Sequence, residues 1–244
     1  MTSTKTTADI QRDDAGTILA PPLKTRQLPI SLRNLYDYMT GNASPARQLT
    51  NLAAADLMPL LVGKIIELGA TQSGNHKRFA QTETDYVLSN ISNEPGCLYL
   101  DAMDMTLKDQ SVDGFVSVAS LEHMPDPCLA LREVYRTLKP GGKLLLVVPF
   151  MYPFHAAPSD FFRFTDRGVA VMLNRFRILH AEAMGNRFST CALFLQKPFA
   201  WAGFKNKIMT VVFRIVGLGF YVLSRTIRRP DDFPFNYCFL VQKQ

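Results

Sequence analysis

Residues 97–150 read CLYLDAMDMTLKDQSVDGFVSVASLEHMPDPCLALREVYRTLKPGGKLLLVVPF, the most densely patterned run in the chain. A short apolar run at 98–100 stops at Asp101, and a second occupies 114–118. Asp126-Pro127 opens a helix, since Leu129, Leu131, Val134, Tyr135 and Leu138 recur at helical spacing. Lys139-Pro140-Gly141-Gly142 ends it, because proline cannot continue a helix and glycine readily takes the left-handed conformation. Residues 143–148 are then almost wholly apolar, as in a strand buried on both faces. Strand, helix and strand in this order predict a βαβ unit and a mainly parallel sheet. Ligands of such sheets lie beyond the carboxyl ends of the strands. That points to Asp101, to 119–123 and to the residues after Pro149.

The stretch resembles the class I S-adenosylmethionine-dependent methyltransferases, most of all a large bacterial branch of the type 11 kind. The resemblance rests on Asp101-Ala102, Val112-Asp113-Gly114, Leu121-Glu122-His123 and the run 138–149. It covers residues 60–183 and reaches more loosely to the final strand. It implies an α/β fold with a Rossmann-like, doubly wound, mainly parallel seven-stranded sheet. The last strand would be antiparallel and preceded by a hydrophobic helical insertion. The implied cofactor, S-adenosylmethionine, would lie across the first four strand ends.

The chain has 244 residues, 47% hydrophobic and 20% charged, which excludes a disordered chain and allows one full core. Residues 1–25, rich in Thr, Asp and Ala, are expected as a flexible tail, and 26–244 as the methyltransferase domain. Cys97, Cys128, Cys191 and Cys238 show no CxxC spacing, so a zinc site is not expected and no metal ligands are predicted. Those cysteines, with no basic-then-apolar signal segment, lead us to expect a cytoplasmic protein. The net charge of +6 is local. Lys205, Lys207, Arg214, Arg225, Arg228 and Arg229 include no acid among them, and the other 21 of the 27 basic residues balance the 21 acids. Nucleic acid is therefore not an expected partner.

Ser44-Pro45 caps a helix expected to run to about Leu57. In the resembled family such a helix covers the cofactor or closes the substrate cleft; the alternative is plain packing on the sheet edge. Residues 64–69 form the first strand, and Gly69-Ala70-Thr71-Gln72-Ser73-Gly74 leads toward a helix. The resemblance makes Gly69, Ala70 and Gly74 the backbone approach to the cofactor and Glu67 the acid that orders the loop. Ala70 and Thr71 replace the family's flexible positions, and a side chain forced to positive φ costs roughly 1 kcal/mol. Asn90 stands where the family has a ribose-binding acid, or it serves only the turn before Pro95-Gly96. By the same resemblance Asp101 receives the adenine amino group, Ala102 faces the ring, and Ala119 joins the cofactor set. The alternative for Asp101 is capping its own turn. A nicotinamide dehydrogenase is less favoured, because the first loop lacks G-x-G-x-x-G.

Residues 149–165 combine three prolines and five phenylalanines with His155, Asp160 and Arg163. The stretch resembles a signature of methyltransferase-like proteins, many associated with surface-glycan and lipid-linked sugar pathways. It implies a small-molecule or lipid-linked sugar acceptor. His155 has the unperturbed pKa of a general base. Asp160 would orient it or bind a hydroxyl, and Arg163 would hold a phosphate or carboxylate. The alternative is an Asp160–Arg163 pair that only fixes the loop.

The insertion, 186–235, contains the apolar run 207–224 with Arg214 at its middle. A spanning helix needs about 20 apolar residues, and a central arginine costs several kcal/mol there. Spanning would also strand the last β-strand across the membrane. With Phe199, Trp201, Phe204 and the basic flanks, 199–229 reads as a segment lying on the inner face of an anionic membrane. Covering the sheet or a homo-oligomer contact is the alternative. A non-catalytic, membrane-bound partner in a biosynthetic complex is the second functional reading.

Overall fold

The computed structural model describes residues 23–156, 159–196, 207–226 and 233–244. Eight strands form one sheet: β1 (Lys24–Arg26), β2 (Lys64–Leu68), β3 (Asp85–Asn90), β4 (Leu98–Tyr99), β5 (Val112–Val118), β6 (Leu138–Pro149), β7 (Phe176–Met184) and β8 (Asn236–Lys243). Their order is β1-β7-β8-β6-β5-β2-β3-β4. Only β8 runs against its neighbours, pairing antiparallel with both β6 and β7. β2, β3, β4, β5 and β6 are parallel, so their carboxyl ends share one edge.

The two faces are covered by different helices. On one face, α3 (Pro127–Thr137) and α4 (Asp166–Met172) bury Leu131, Val134 and Val169 against Phe115, Leu144 and Leu146. On the other lie α1 (Leu32–Thr40), α2 (Pro45–Leu57), α5 (Arg187–Gln196) and α6 (Lys207–Leu223). The expected caps form: the Ser44 hydroxyl accepts from Arg47 N with Pro45 at the first turn, and Asp126 accepts from Leu129 N before Pro127. Each satisfies a backbone donor that a helix start leaves open.

Three expectations change. The sheet has an eighth strand, because Lys24–Arg26 pairs with Glu182–Met184 and Arg26 Nε donates to Glu182 Oε1 at 2.8 Å. Lys24 and Thr25 therefore belong to the sheet and not to a tail; residues 1–22 of that expected tail lie outside the described residues. No α-helix comes after the first glycine loop: between β2 and β3 there is only a 3-10 turn, Lys77–Phe79. Glu67, buried at the end of β2, holds that segment directly, accepting from His76 N at 3.0 Å and from the Tyr86 hydroxyl at 2.8 Å.

The insertion is a helix pair. α6 turns Arg214 inward, where it donates to Gln196 O at 3.0 Å and Met39 O at 2.7 Å, carbonyls near the ends of α5 and α1. One turn on, Gly217 meets Tyr38: a Cβ here would lie 2.0 Å from the tyrosine hydroxyl. Tyr221 completes the inward stripe, donating toward Pro29 O and Gln48 Oε1. The opposite stripe is exposed and apolar, with Ile208 77% and Ile215 57% accessible beside Val211, Val212, Val216 and Val222. The helix is long and apolar enough to cross a membrane. Its anchored arginine and the return of the chain to β8 show it lying along the protein. Phe199, Trp201, Phe204, Lys205, Arg228 and Arg229 lie outside the described residues.

Candidate active site

The ends of β2, β3, β4 and β5 carry the residues expected to hold a cofactor. Gly69 turns the chain at φ +68°, where a Cβ would come 2.8 Å from Ser120 Cβ. Ala70 and Thr71 are not among the positive-φ residues, so the loop absorbs its two side chains without left-handed backbone at either. The Thr71 hydroxyl accepts instead from Gly74 N at 2.8 Å. The loop is tied across the sheet edge to the β3–β4 connection. Asn90 Nδ2 donates to Ala70 O at 2.9 Å, Gln72 Nε2 to Gly96 O at 3.1 Å, and the Cys97 thiol to Ala70 O at 3.6 Å. Asn90 Oδ1 accepts from Ser92 N and its hydroxyl. Asn90 thus serves its own turn, with one amide hydrogen left over. Asp101 Oδ1 accepts from Met103 N at 2.8 Å, capping its turn through one oxygen. Ala102 beside it is buried. Ala119 sits at φ +49°, a strained conformation for a residue with a Cβ. Its kink swings Ser120 and the 3-10 turn Leu121–His123 over the edge.

This donor set fits S-adenosylmethionine in part. Asp101 keeps one carboxylate oxygen outside its turn and Gly69 keeps the tight first turn, while Asn90 is engaged at both ends.

Next to this edge lies a small cleft of about 110 Å³. The first turns of α2 form one wall through Ser44, Arg47 and Thr50; Ala119, Glu122, Tyr152 and His155 form the other. So α2 closes the cleft, one of the two roles open from sequence.

The loop after β6 is fastened by one buried pair. Arg163 spends all five N–H donors at home: on both Asp160 oxygens, and on Tyr152 O, Pro153 O and Phe162 O. No donor remains for a phosphate, which corrects the acceptor-binding role expected of Arg163. Asp160 is likewise not a hydroxyl ligand, since its side chain is 1% exposed. It accepts from Arg163 and from His155 N at 2.8 Å. The guanidinium holds its pKa at about 2 despite desolvation. Asp160 does help place His155, whose Nδ1 is 3.4 Å from Asp160 Oδ2 and 3.2 Å from Pro153 O.

His155 Nε2 stands 3.6 Å from Glu122 Oε1. Glu122 raises the His155 pKa above its ordinary value against desolvation, with Pro153 O and Asp160 adding to it. Glu122 is fully buried, and neither of its oxygens has a hydrogen-bond partner among the described residues. In the sequence, Leu121-Glu122-His123 carries part of the resemblance and gives Glu122 no role of its own. The available signal was an acid closing an apolar strand exit, immediately before a histidine.

Comparisons with known proteins agree with this architecture. Residues 67–146 match a family described as a methyltransferase domain. The chain is 29% identical over 143 residues, 57% of its length, to 27-O-demethylrifamycin SV methyltransferase of Amycolatopsis mediterranei, covering 48% of that protein. It is 32% identical over 83 residues to an O-methyltransferase of Aspergillus nomiae, 34% of this chain and 36% of the relative. The chain thus spans about half or less of these curated relatives. Its fold is that of a solved SAM-dependent methyltransferase from Archaeoglobus fulgidus, with TM-score 0.53, 14% identity and coverage of 87% of this chain and 100% of the other. Residues 67–146 thus match a methyltransferase domain, and the chain has the fold of the S-adenosylmethionine-dependent methyltransferases. A methyltransferase domain over these residues implies S-adenosylmethionine as the cofactor.

Proposed function

We propose that the protein methylates a hydroxyl group of an acceptor seated in the cleft beneath α2. The observation that carries this reading is the buried Glu122 beside His155 on one wall of that cleft, next to Ala119 on the cofactor edge. Bound S-adenosylmethionine supplies a methyl group on a sulfonium. The C–S bond breaks as the C–O bond forms, so the acceptor's proton must leave. Glu122 and His155 are placed to activate that hydroxyl, and holding both reactants in line supplies much of the acceleration. On the cofactor side, Asp101 and Gly69 carry binding. The sequence resemblance points to a glycan or lipid-linked sugar as acceptor.

Calorimetric titration with S-adenosylmethionine and S-adenosylhomocysteine tests this reading. We expect micromolar binding, weakened at least tenfold by Asp101→Ala and little changed by His155→Ala, which abolishes turnover. No binding up to millimolar cofactor in the folded protein would exclude it. A non-catalytic partner in a biosynthetic complex is the second reading, favoured by the three bonds that tie the glycine loop to the β3–β4 connection.

We further propose that the outward stripe of α6 rests on an anionic membrane, so that the protein is peripheral at the cytoplasmic face. Its apolar surface is exposed and its polar anchor faces inward, the reverse of a helix meeting water. Lys207 and Arg225 stand at its two ends, and the run 205–229 contains no acid.

A further inference from the structure

We propose that Glu122, His123 and His155 form a binding site for one divalent transition-metal cation at the acceptor end of the cleft. The first argument is charge. Glu122 is 0% exposed, and both its oxygens lack a hydrogen-bond partner among the described residues. Its ion contact there is His155, at 3.6 Å. A buried carboxylate in that state calls for a cation beside it.

The second argument is tautomeric. His155 Nδ1 lies 3.2 Å from Pro153 O, and His123 Nδ1 is hydrogen-bonded to Ser159 O. A carbonyl oxygen only accepts, so in each neutral ring the proton sits on Nδ1 and the lone pair on Nε2. Metal-binding histidines are commonly fixed in this way, with the second nitrogen donating to a backbone carbonyl.

The third argument is distance. Ligand atoms of the three residues all lie within 4.8 Å of one another. With metal–ligand bonds of about 2.1 Å, neighbouring and opposed ligands sit about 3–4 Å apart. The 3.6 Å separation of His155 Nε2 and Glu122 Oε1 already fits, and the widest needs to close by less than an ångström. Two imidazoles and one carboxylate suit zinc, manganese or cobalt better than magnesium or calcium, which prefer all-oxygen shells. With three protein ligands and an open cleft beyond, a position is left for an acceptor hydroxyl, whose proton a bound cation makes easier to lose to water. In this state His155 is a ligand and not the base. The catalytic role of the cation rests on the methyl-transfer reading; the site itself does not.

The test is metal binding by the full chain without cofactor. Metal-stripped protein is titrated with Zn²⁺ by calorimetry and with Co²⁺ by visible absorption. We expect one equivalent to bind and Co²⁺ to show bands of a nitrogen- and oxygen-ligated ion. The near-isosteric Glu122→Gln and, separately, His123→Ala should each weaken binding at least tenfold, with far-UV circular dichroism unchanged. No stoichiometric binding, or binding that persists undiminished in Glu122→Gln, overturns the site. Metal binding without S-adenosylmethionine binding would sink the methyl-transfer reading and leave the site standing; the reverse would sink the site alone.

Discussion

At the scale of single residues, Arg163 shows how a reactive-looking side chain is taken out of the chemistry. Its fork fits a phosphate, yet every donor is used within its own loop. Asp160 is almost fully buried, so removing one partner leaves a desolvated charge, which typically costs about 3–5 kcal/mol. We expect Arg163→Ala to lower the unfolding free energy measured in urea by that order while cofactor affinity of the folded protein stays within twofold. Arg163→Lys should recover little, since an ammonium cannot reproduce the planar fork. Retained stability with lost turnover would instead return Arg163 to the acceptor. The i, i+3 spacing of Asp160 and Arg163 is plain in the sequence, but the three carbonyls that consume the other donors are not. Glu122 was harder still to read. Its burial depends on the loop after β6 folding back, where Phe161 N donates to Glu122 O. Asp101 was legible because its position relative to a strand end is local.

At the scale of elements, periodicity and caps located most of the helices and strands within a few residues. What they could not show was the missing helix after β2. Gly69 and Gly74 announce a loop, but the course of the chain beyond it depends on Glu67, which takes up His76 and Tyr86 in place of a helical turn. α6 was visible as an apolar run, but its orientation was not, because nearly every residue of the run is apolar and Arg214 is the one charge in its interior. The two glycines of α6 make the orientation testable. Gly217 faces Tyr38 with no room for a methyl group, whereas Gly219 has nothing within 4 Å among the described residues. Gly219→Ala should be neutral or stabilise by up to about 1 kcal/mol, as expected for an exposed helix position. Gly217→Ala should lower the melting temperature by displacing Tyr38 or the helix. Equal effects from the two would mean that α6 does not pack on α1 by this face.

At the scale of the whole molecule, the basic charge and the apolar stripe fall in one stretch of sequence, 205–229, while the acceptor cleft lies behind α2. Only the chemistry of the surface, not its partner, is written in the sequence. Flotation with liposomes of anionic and of neutral lipid measures the partner. We expect the protein to float with anionic vesicles at low salt, to lose binding as salt rises, and to lose it when Ile208 and Ile215 are both changed to Ser. A protein that stays at the bottom of the gradient at low salt removes the membrane, and a dimer in solution abolished by the same double change assigns the stripe to a second copy.

The place of β8 also bears on how the protein is made. It lies between β6 and β7, both of which leave the ribosome before it, and about fifty residues separate it from β7. At roughly 5–20 residues per second, the nascent chain waits about 3–10 s with a gap in the middle of its sheet and two bare strand edges facing that gap. α5 and α6 are synthesised during this interval, so the most apolar helix emerges before the sheet that anchors it can close. During those seconds the open strand edges are free to pair with other chains, so this interval is when the chain is most exposed to aggregation.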